Sequence, residues 1–220
     1  MTTESGELRI GVTMRIVEAL SYDESRDALA QDWGRFLAAA LPSLPWVPVP
    51  NLGKDVVTFV QNWGLNGFIL TGGDDWGANQ IRDLTEETVL AFAEENSFPI
   101  FGVCRGLQAL QLRFGGAMAR RRPGAHVGNR HLVRFLGSAG RTGMDGDEMI
   151  VNSFHDNAIA LAELADDLEA VAVGEDGLVE AAAHRSYPQL GVMWHPERAD
   201  PFNPSDIQMI RTLFKIDIFE

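Results

Sequence analysis

The run Pro99-Ile100-Phe101-Gly102-Val103-Cys104-Arg105-Gly106-Leu107-Gln108 leaves a chain little choice of local fold. Its apolar, partly β-branched first half reads as a buried strand. Leu107, Leu110, Gln111 and Phe114 then recur at helical spacing, and Gly115-Gly116 supplies a stop signal. Between strand and helix stands Gly-x-Cys-x-Gly, the cysteine form of a nucleophile elbow. Small residues are needed on both sides because Cβ atoms there would meet the neighbouring strand and helix. Such a turn lifts the thiol out of the sheet to a helix N-terminus, where the dipole and free N–H groups favour thiolate. Taken alone, the pattern equally fits a cysteine buried in an α/β core.

The flanking chain predicts the same class. Leu8–Thr13, Trp46–Pro50, Gly67–Leu70 and Gln189–Met193 read as strands, with the prolines of the second marking an edge or strand end. Arg26–Leu41, Asp55–Trp63, Asp83–Asn96 and Ser205–Phe214 read as helices, the third with Asp83 and Glu86 spaced as a capping box. Strand and helix in alternation predict an α/β, three-layer architecture: a predominantly parallel sheet with helices on both faces. After Gly116 shorter apolar runs (131–135, 149–151, 168–173 and 178–182) between Gly/Asp-rich turns predict a smaller, partly antiparallel section. No linker divides the chain, so residues 1–220 read as a single domain.

Charge and cysteine content exclude several functions. A formal net charge of −13 argues against a nucleic-acid partner or an anionic membrane surface. One cysteine allows neither an internal disulfide nor a cysteine-rich zinc site and suits a reducing, cytoplasmic compartment. Met1–Gly6 is too polar for a signal peptide, and no apolar run is long enough to span a bilayer.

A second constellation closes the last strand, Gly191-Val192-Met193-Trp194-His195-Pro196-Glu197. Pro196 biases His195 towards extended backbone, which would put His195 and Glu197 on one face. A carboxylate beside an imidazole fixes its tautomer and stabilises its cation. A solvated histidine and acid at a strand end is the plainer reading of the pair. Both the cysteine and this pair, however, fall at the C-terminal ends of predicted parallel strands, where open α/β sheets carry their sites.

With these two motifs the chain resembles the class I glutamine amidotransferase superfamily, and within it the γ-glutamyl-γ-aminobutyrate hydrolase branch, peptidase family C26. Ile10-Gly11-Val12-Thr13, Thr71-Gly72-Gly73-Asp74, Arg82-Asp83-x-x-Glu86, Val151-Asn152-Ser153-Phe154-His155 and Asp176-Gly177-Leu178-Val179-Glu180-Ala181 match in family order over almost the whole chain. The resemblance implies the flavodoxin-like fold of that superfamily and cysteine-dependent hydrolysis of γ-glutamyl amides through a glutamyl thioester. It implies Cys104 as nucleophile, His195 as proton carrier and Glu197 as its orienting acid. The backbone N–H groups of Gly73 and Arg105 would form the oxyanion hole. Gly72, Gln108, Ser153, Phe154 and His155 would hold the glutamyl end. No metal and no organic cofactor is implied, and the partner is a small-molecule γ-glutamyl substrate.

The segment Asp74–Ile81 is shorter than in free-standing hydrolases of this branch and lacks their Asp-Val-x-Pro continuation. An open pocket mouth there would suit free glutamine, or ammonia delivery to a docked synthetase or ligase. The implied alternative is therefore the glutaminase component of a two-protein amidotransferase, and the remote one a catalytically silent binding protein. His126, His131, His155 and His184 fit no common metal-ligand spacing and read as surface or hydrogen-bonded loop residues. Arg120-Arg121-Arg122 reads as a solvated basic patch, and Trp76 as packing or as the wall of the site mouth.

Overall fold

The computed structural model describes residues 7–120, 128–137, 142, 144 and 146–216; Met1–Gly6, Arg121, Arg122 and His126 lie outside the described residues. In chain order the elements are β1 (Ile10–Thr13), β2 (Arg15–Glu18), β3 (Ser25–Ala28), α1 (Gln31–Ala40), β4 (Trp46–Val49), α2 (Val56–Trp63) and β5 (Gly67–Leu70). There follow α3 (Gln80–Asn96), β6 (Ile100–Val103), α4 (Arg105–Arg113), β7 (Ala119–Arg120), β8 (Asn129–Phe135), β9 (Glu148–Ser153) and β10 (Asn157–Ala158). The chain closes with β11 (Leu168–Gly174), β12 (Val179–His184), β13 (Gln189–Val192) and α5 (Pro204–Leu213).

Nine strands form one sheet in the order β4-β1-β5-β6-β13-β12-β11-β8-β9. The five from β4 to β13 are parallel. Every residue of β1, β5, β6 and β13 is buried, as near-continuous apolar strands covered on both faces require. Side chains alternate between the faces. Ile69 and Phe101 meet Trp33, Phe36 and Leu37 of α1 and Met209 and Ile210 of α5. Phe68, Leu70 and Ile100 meet Val56 and Val60 of α2 and Val89 and Leu90 of α3. The proline-bearing β4 is an edge strand, as its sequence predicts. The antiparallel section is the continuation of the same sheet, with β12 joining β13 and then β11, β8 and β9.

Two local expectations are corrected. Residues 26–28 belong not to α1 but to β3, which pairs with β2 as a separate hairpin. Long-range bonds override the local pattern there: Asp27 accepts from the backbone N–H and the Nδ2 of Asn51, at 2.9 and 2.6 Å. Helix α3 begins before the expected capping box and is capped by Asn79, whose Oδ1 accepts from Arg82 N at 3.4 Å. Asp83 and Glu86 are thereby released for another task, described below.

Candidate active site

Cys104 is the residue between β6 and α4, and its backbone lies at φ +52°, ψ −99°. A non-glycine residue reaches that region only under strain, and surrounding structure must hold it there. Two glycines make the turn possible. A Cβ on Gly102 would lie 2.6 Å from the carbonyl carbon of Gly106, and one on Gly106 would lie 2.4 Å from Leu70 O in the adjacent strand. Cys104 N also donates to Val192 O at 2.7 Å, stapling the turn to the end of β13.

The thiol is buried, and burial pushes its pKa up to about 12, with repulsion from Glu197 adding to the rise. The N–H of Arg105 at the helix N-terminus pulls the other way but does not win. The thiolate expected from the helix end alone is therefore not the resting form at neutral pH.

Val103 and Val192 are paired across β6 and β13, so Cys104 and His195 leave the sheet at the same edge. His195 lies at φ −114° and ψ 89°, outside the α region that Pro196 disfavours but short of the fully extended backbone expected. Its Nδ1 lies 2.7 Å from Glu197 Oε1, with both side chains 2% exposed. Residues Pro196–Arg198 form a tight turn rather than continuing the strand, and Glu197 reaches the ring from that turn.

Asn152, on β9, clamps the histidine backbone: its Oδ1 accepts from His195 N and its Nδ2 donates to His195 O, both at 2.8 Å. The ring itself is set by contact. Phe154 meets it edge-on, with centroids 5.7 Å apart, and Arg198 lies over the other ring at 4.6 Å. A Cβ on Gly72 would stand 2.6 Å from His195 Cε1, so only glycine lets the imidazole lie against the Thr71-Gly72-Gly73 turn. Behind His195, Trp194 Nε1 donates to Asp206 Oδ1 at 2.9 Å. Burial raises the Asp206 carboxyl to about 7, against the pull of that bond.

Gly73 is exposed at φ +147°, and a side chain there would displace Arg82, whose Nη1 is 2.2 Å from the Cβ position. Arg82 is buried beneath the turn, and its Nη2 donates to Thr71 O at 2.9 Å and to Gly72 O at 3.0 Å. Its Nε donates to Glu86 Oε1 at 3.1 Å. Glu86 also accepts from Thr13 Oγ1 and pairs through Oε2 with Arg105 Nη1, while Arg105 Nη2 pairs with Asp83. Burial lowers both arginines, Arg82 to about 10 and Arg105 to about 9, so both remain cations at neutral pH. Trp76 covers this cluster, its ring 4.7 Å from the Arg105 guanidinium carbon.

The residues expected around the glutamyl end are gathered near this edge. Gln108 lies one turn into α4, its N–H bonded to Cys104 O at 3.1 Å and its Nε2 3.8 Å from Met193 Sδ. Ser153 and His155 are buried on either side of Phe154; His155 Nδ1 lies 2.8 Å from Asn157 O and its Nε2 3.8 Å from Glu180 Oε1.

Neither His155 nor His184 is a surface residue: His184 is buried and its Nδ1 accepts from Ser186 N and Tyr187 N, each at 2.9 Å. His131 is on β8, and its Nε2 lies 3.4 Å from Glu180 Oε1, which raises its pKa. Among the described residues no group of three or more His, Cys, Asp or Glu side chains is placed to hold a metal ion. Nor, among them, is any helix long and apolar enough to cross a membrane. The short segment after Gly73 is largely exposed, with Asp75 Oδ1 accepting from Asn157 Nδ2 at 2.8 Å. Sequence reasoning missed Asn152 and Arg82 as parts of this site, although both stand inside motifs that it singled out.

A parallel α/β sheet with a cysteine elbow, and a histidine–carboxylate pair on the next strand, places the protein in the class I glutamine amidotransferase superfamily. Residues 10–197 match the Peptidase C26 family, and the chain belongs to it. The γ-glutamyl-CDP-amidate hydrolase of Campylobacter jejuni is 30% identical over 94% of this chain and 98% of its own. Anthranilate synthase beta subunit 2 of Arabidopsis thaliana is 34% identical, over 60% of this chain and 48% of its own. Among solved structures, a glutamine amidotransferase from Thermotoga maritima shares the fold at a TM-score of 0.64 and 14% identity, covering 96% of this chain and 86% of that one.

Proposed function

We propose that this protein hydrolyses γ-glutamyl amide bonds by a Cys104-His195-Glu197 mechanism. The observation that carries the reading is the 2.7 Å His195–Glu197 contact, set at the sheet edge where the strained elbow presents Cys104. A thiol pushed up to about 12 does not attack as a preformed thiolate. Its proton passes to His195 as sulfur attacks the δ-carbon, and Glu197 stabilises the imidazolium that forms. The tetrahedral oxyanion is received by the N–H groups of Gly73 and Arg105, preorganised by the network below them. His195 then protonates the departing amine, leaving a glutamyl thioester that water, deprotonated by the same histidine, hydrolyses.

Gly72, Gln108 and the Ser153-Phe154-His155 segment hold the glutamyl end. Nucleophile, proton carrier and oxyanion donors all come from the chain, so the chemistry calls on no cofactor. A single cysteine that must stay reduced to react suits a cytoplasmic setting.

Likeness over nearly the full length of a hydrolase favours a free-standing enzyme. Likeness to anthranilate synthase beta subunits, over a smaller share of the chain, favours the second reading, a glutaminase serving a synthetase. Release of glutamate by purified protein alone separates them. The panel is glutamine, γ-glutamyl-aminobutyrate, γ-glutamyl-anilide and a γ-glutamyl amidate of cytidine diphosphate. Turnover of a substituted amide in preference to glutamine supports the hydrolase; silence on all four counts against it.

A further inference from the structure

The Gly72–Gly73 peptide is one planar, polarisable unit. Its N–H belongs to Gly73, the oxyanion donor in the reading above, and its carbonyl belongs to Gly72. That carbonyl accepts a 3.0 Å bond from Arg82 Nη2, and the preceding carbonyl, of Thr71, accepts one of 2.9 Å from the same nitrogen. A cation bonded to the C=O of an amide withdraws electron density through the resonant unit and makes its N–H a stronger donor. The same guanidinium fixes the orientation of that N–H, since two successive carbonyls are anchored on one nitrogen.

The second donor is coupled to the first. Arg82 Nε and Arg105 Nη1 share the two oxygens of Glu86, and Arg105 carries the other N–H. Arg82 Nη1 is buried without a hydrogen-bond partner and occupies the space a side chain on residue 73 would need. No solvent screens the guanidinium, which is 1% exposed.

We infer that Arg82 is a positioning residue of the oxyanion hole, which aims and polarises the Gly73 N–H through the Gly72 carbonyl and ties it, through Glu86, to the Arg105 N–H. The inference rests on the proposed γ-glutamyl transfer to Cys104 and adds to it a residue that touches no substrate. Its functional content is specific: Arg82 serves a step that builds negative charge on oxygen, and not the reactivity of sulfur itself.

Two reactions of Cys104 distinguish these roles. Acylation by γ-glutamyl-p-nitroanilide, read as the single-turnover burst of p-nitroaniline, passes through an oxyanion. Alkylation by iodoacetamide displaces iodide at carbon and makes none. In Arg82→Met the acylation rate should fall about 100-fold, the scale for loss of an oxyanion donor, while KM changes by less than about 3-fold. Alkylation, followed across pH so that any change in thiolate fraction is read separately, should stay within about 3-fold of wild type. Arg82→Lys keeps the charge without the planar fork and should fall between, losing about 10-fold in acylation.

Equal loss of acylation and alkylation in both variants would assign Arg82 to the thiolate or to the fold and overturn the inference. Unchanged acylation in either variant would overturn it as well. If Arg82→Met does not fold, the Arg82→Lys ratio of acylation to alkylation decides alone. Wild-type protein that alkylates but is acylated by neither γ-glutamyl-p-nitroanilide nor any of the four panel amides would instead overturn the proposed function, and the inference with it.

Discussion

Replacing Asn152 by alanine removes both bonds that clamp the His195 backbone while leaving the imidazole and Glu197 untouched. The two 2.8 Å bonds are worth about 1 kcal/mol each in net stability. Because His195 is 2% exposed, any backbone group that water cannot reach adds a desolvation penalty of about 1–3 kcal/mol. With one such group stranded, the expected loss is therefore about 3–5 kcal/mol, seen as a lowered urea midpoint at constant slope.

The kinetic effect follows from position. Freed of its clamp, the turn can drift by a fraction of an ångström, and a misplacement of about 1 Å costs about 100-fold in rate. Turnover of γ-glutamyl-p-nitroanilide should fall between about 10- and 100-fold. Asn152→Asp sharpens the test. It keeps an acceptor for His195 N–H but sets a carboxylate oxygen against His195 O and a further negative charge near Glu197. It should therefore be at least as damaging as alanine. Asn152→Ala with an unfolding free energy within about 0.5 kcal/mol of wild type and unchanged turnover would refute the clamp.

Gly72→Ala places a Cβ 2.6 Å from His195 Cε1, so the ring must move; turnover should drop about 100-fold with unfolding changed by less than about 1 kcal/mol, measured by parallel kinetics and urea titration. The free Cys104 thiol, pushed up to about 12, should be alkylated by iodoacetamide at a rate still rising steeply above about pH 10, where an ordinary exposed thiol is nearing its plateau. Asp206 is raised from 3.8 to about 7 by burial, so its folded state favours the protonated form: that contribution is complete below 3.8 and is lost as pH rises to 7. Asp206→Asn, permanently neutral and still able to accept from Trp194, should match wild-type stability near pH 4 and exceed it by about 2–4 kcal/mol at pH 8 in thermal melts.

The parts of this molecule that sequence made legible are those fixed by local sterics and strand periodicity. Gly102 and Gly106 announce the elbow because no other residue fits, and the closeness of Gly106 to Leu70 O gives the reason in distance. The buried strands around Cys104 could be read from apolar runs alone. What stayed hidden depends on contacts far apart in sequence. The β2–β3 hairpin is held by Asn51, and apolar spacing from Leu29 onwards extends the α1 pattern back over residues that those bonds draw into a strand. Asp83 and Glu86 satisfy a local capping pattern, yet their true partners, Arg105 and Arg82, meet only in the folded core. Asn152 looks like any strand-end amide until β9 and the turn after β13 come together. The thiol illustrates a contest of magnitudes: the helix end and the burial are both readable at Cys104, but only the packed structure shows that burial wins.

In the proposed reaction everything turns on Cys104 as the nucleophile toward a γ-glutamyl carbonyl. The most direct measurement is intact-protein and peptide mass spectrometry after incubation with a diazo-ketone analogue of glutamine, alongside residual activity. One adduct is expected, on the peptide carrying Cys104, forming in step with loss of glutamate release and absent from Cys104→Ser, whose alcohol is a far weaker nucleophile than a thiolate. An adduct on another residue, or labelling that survives Cys104→Ser, would contradict it.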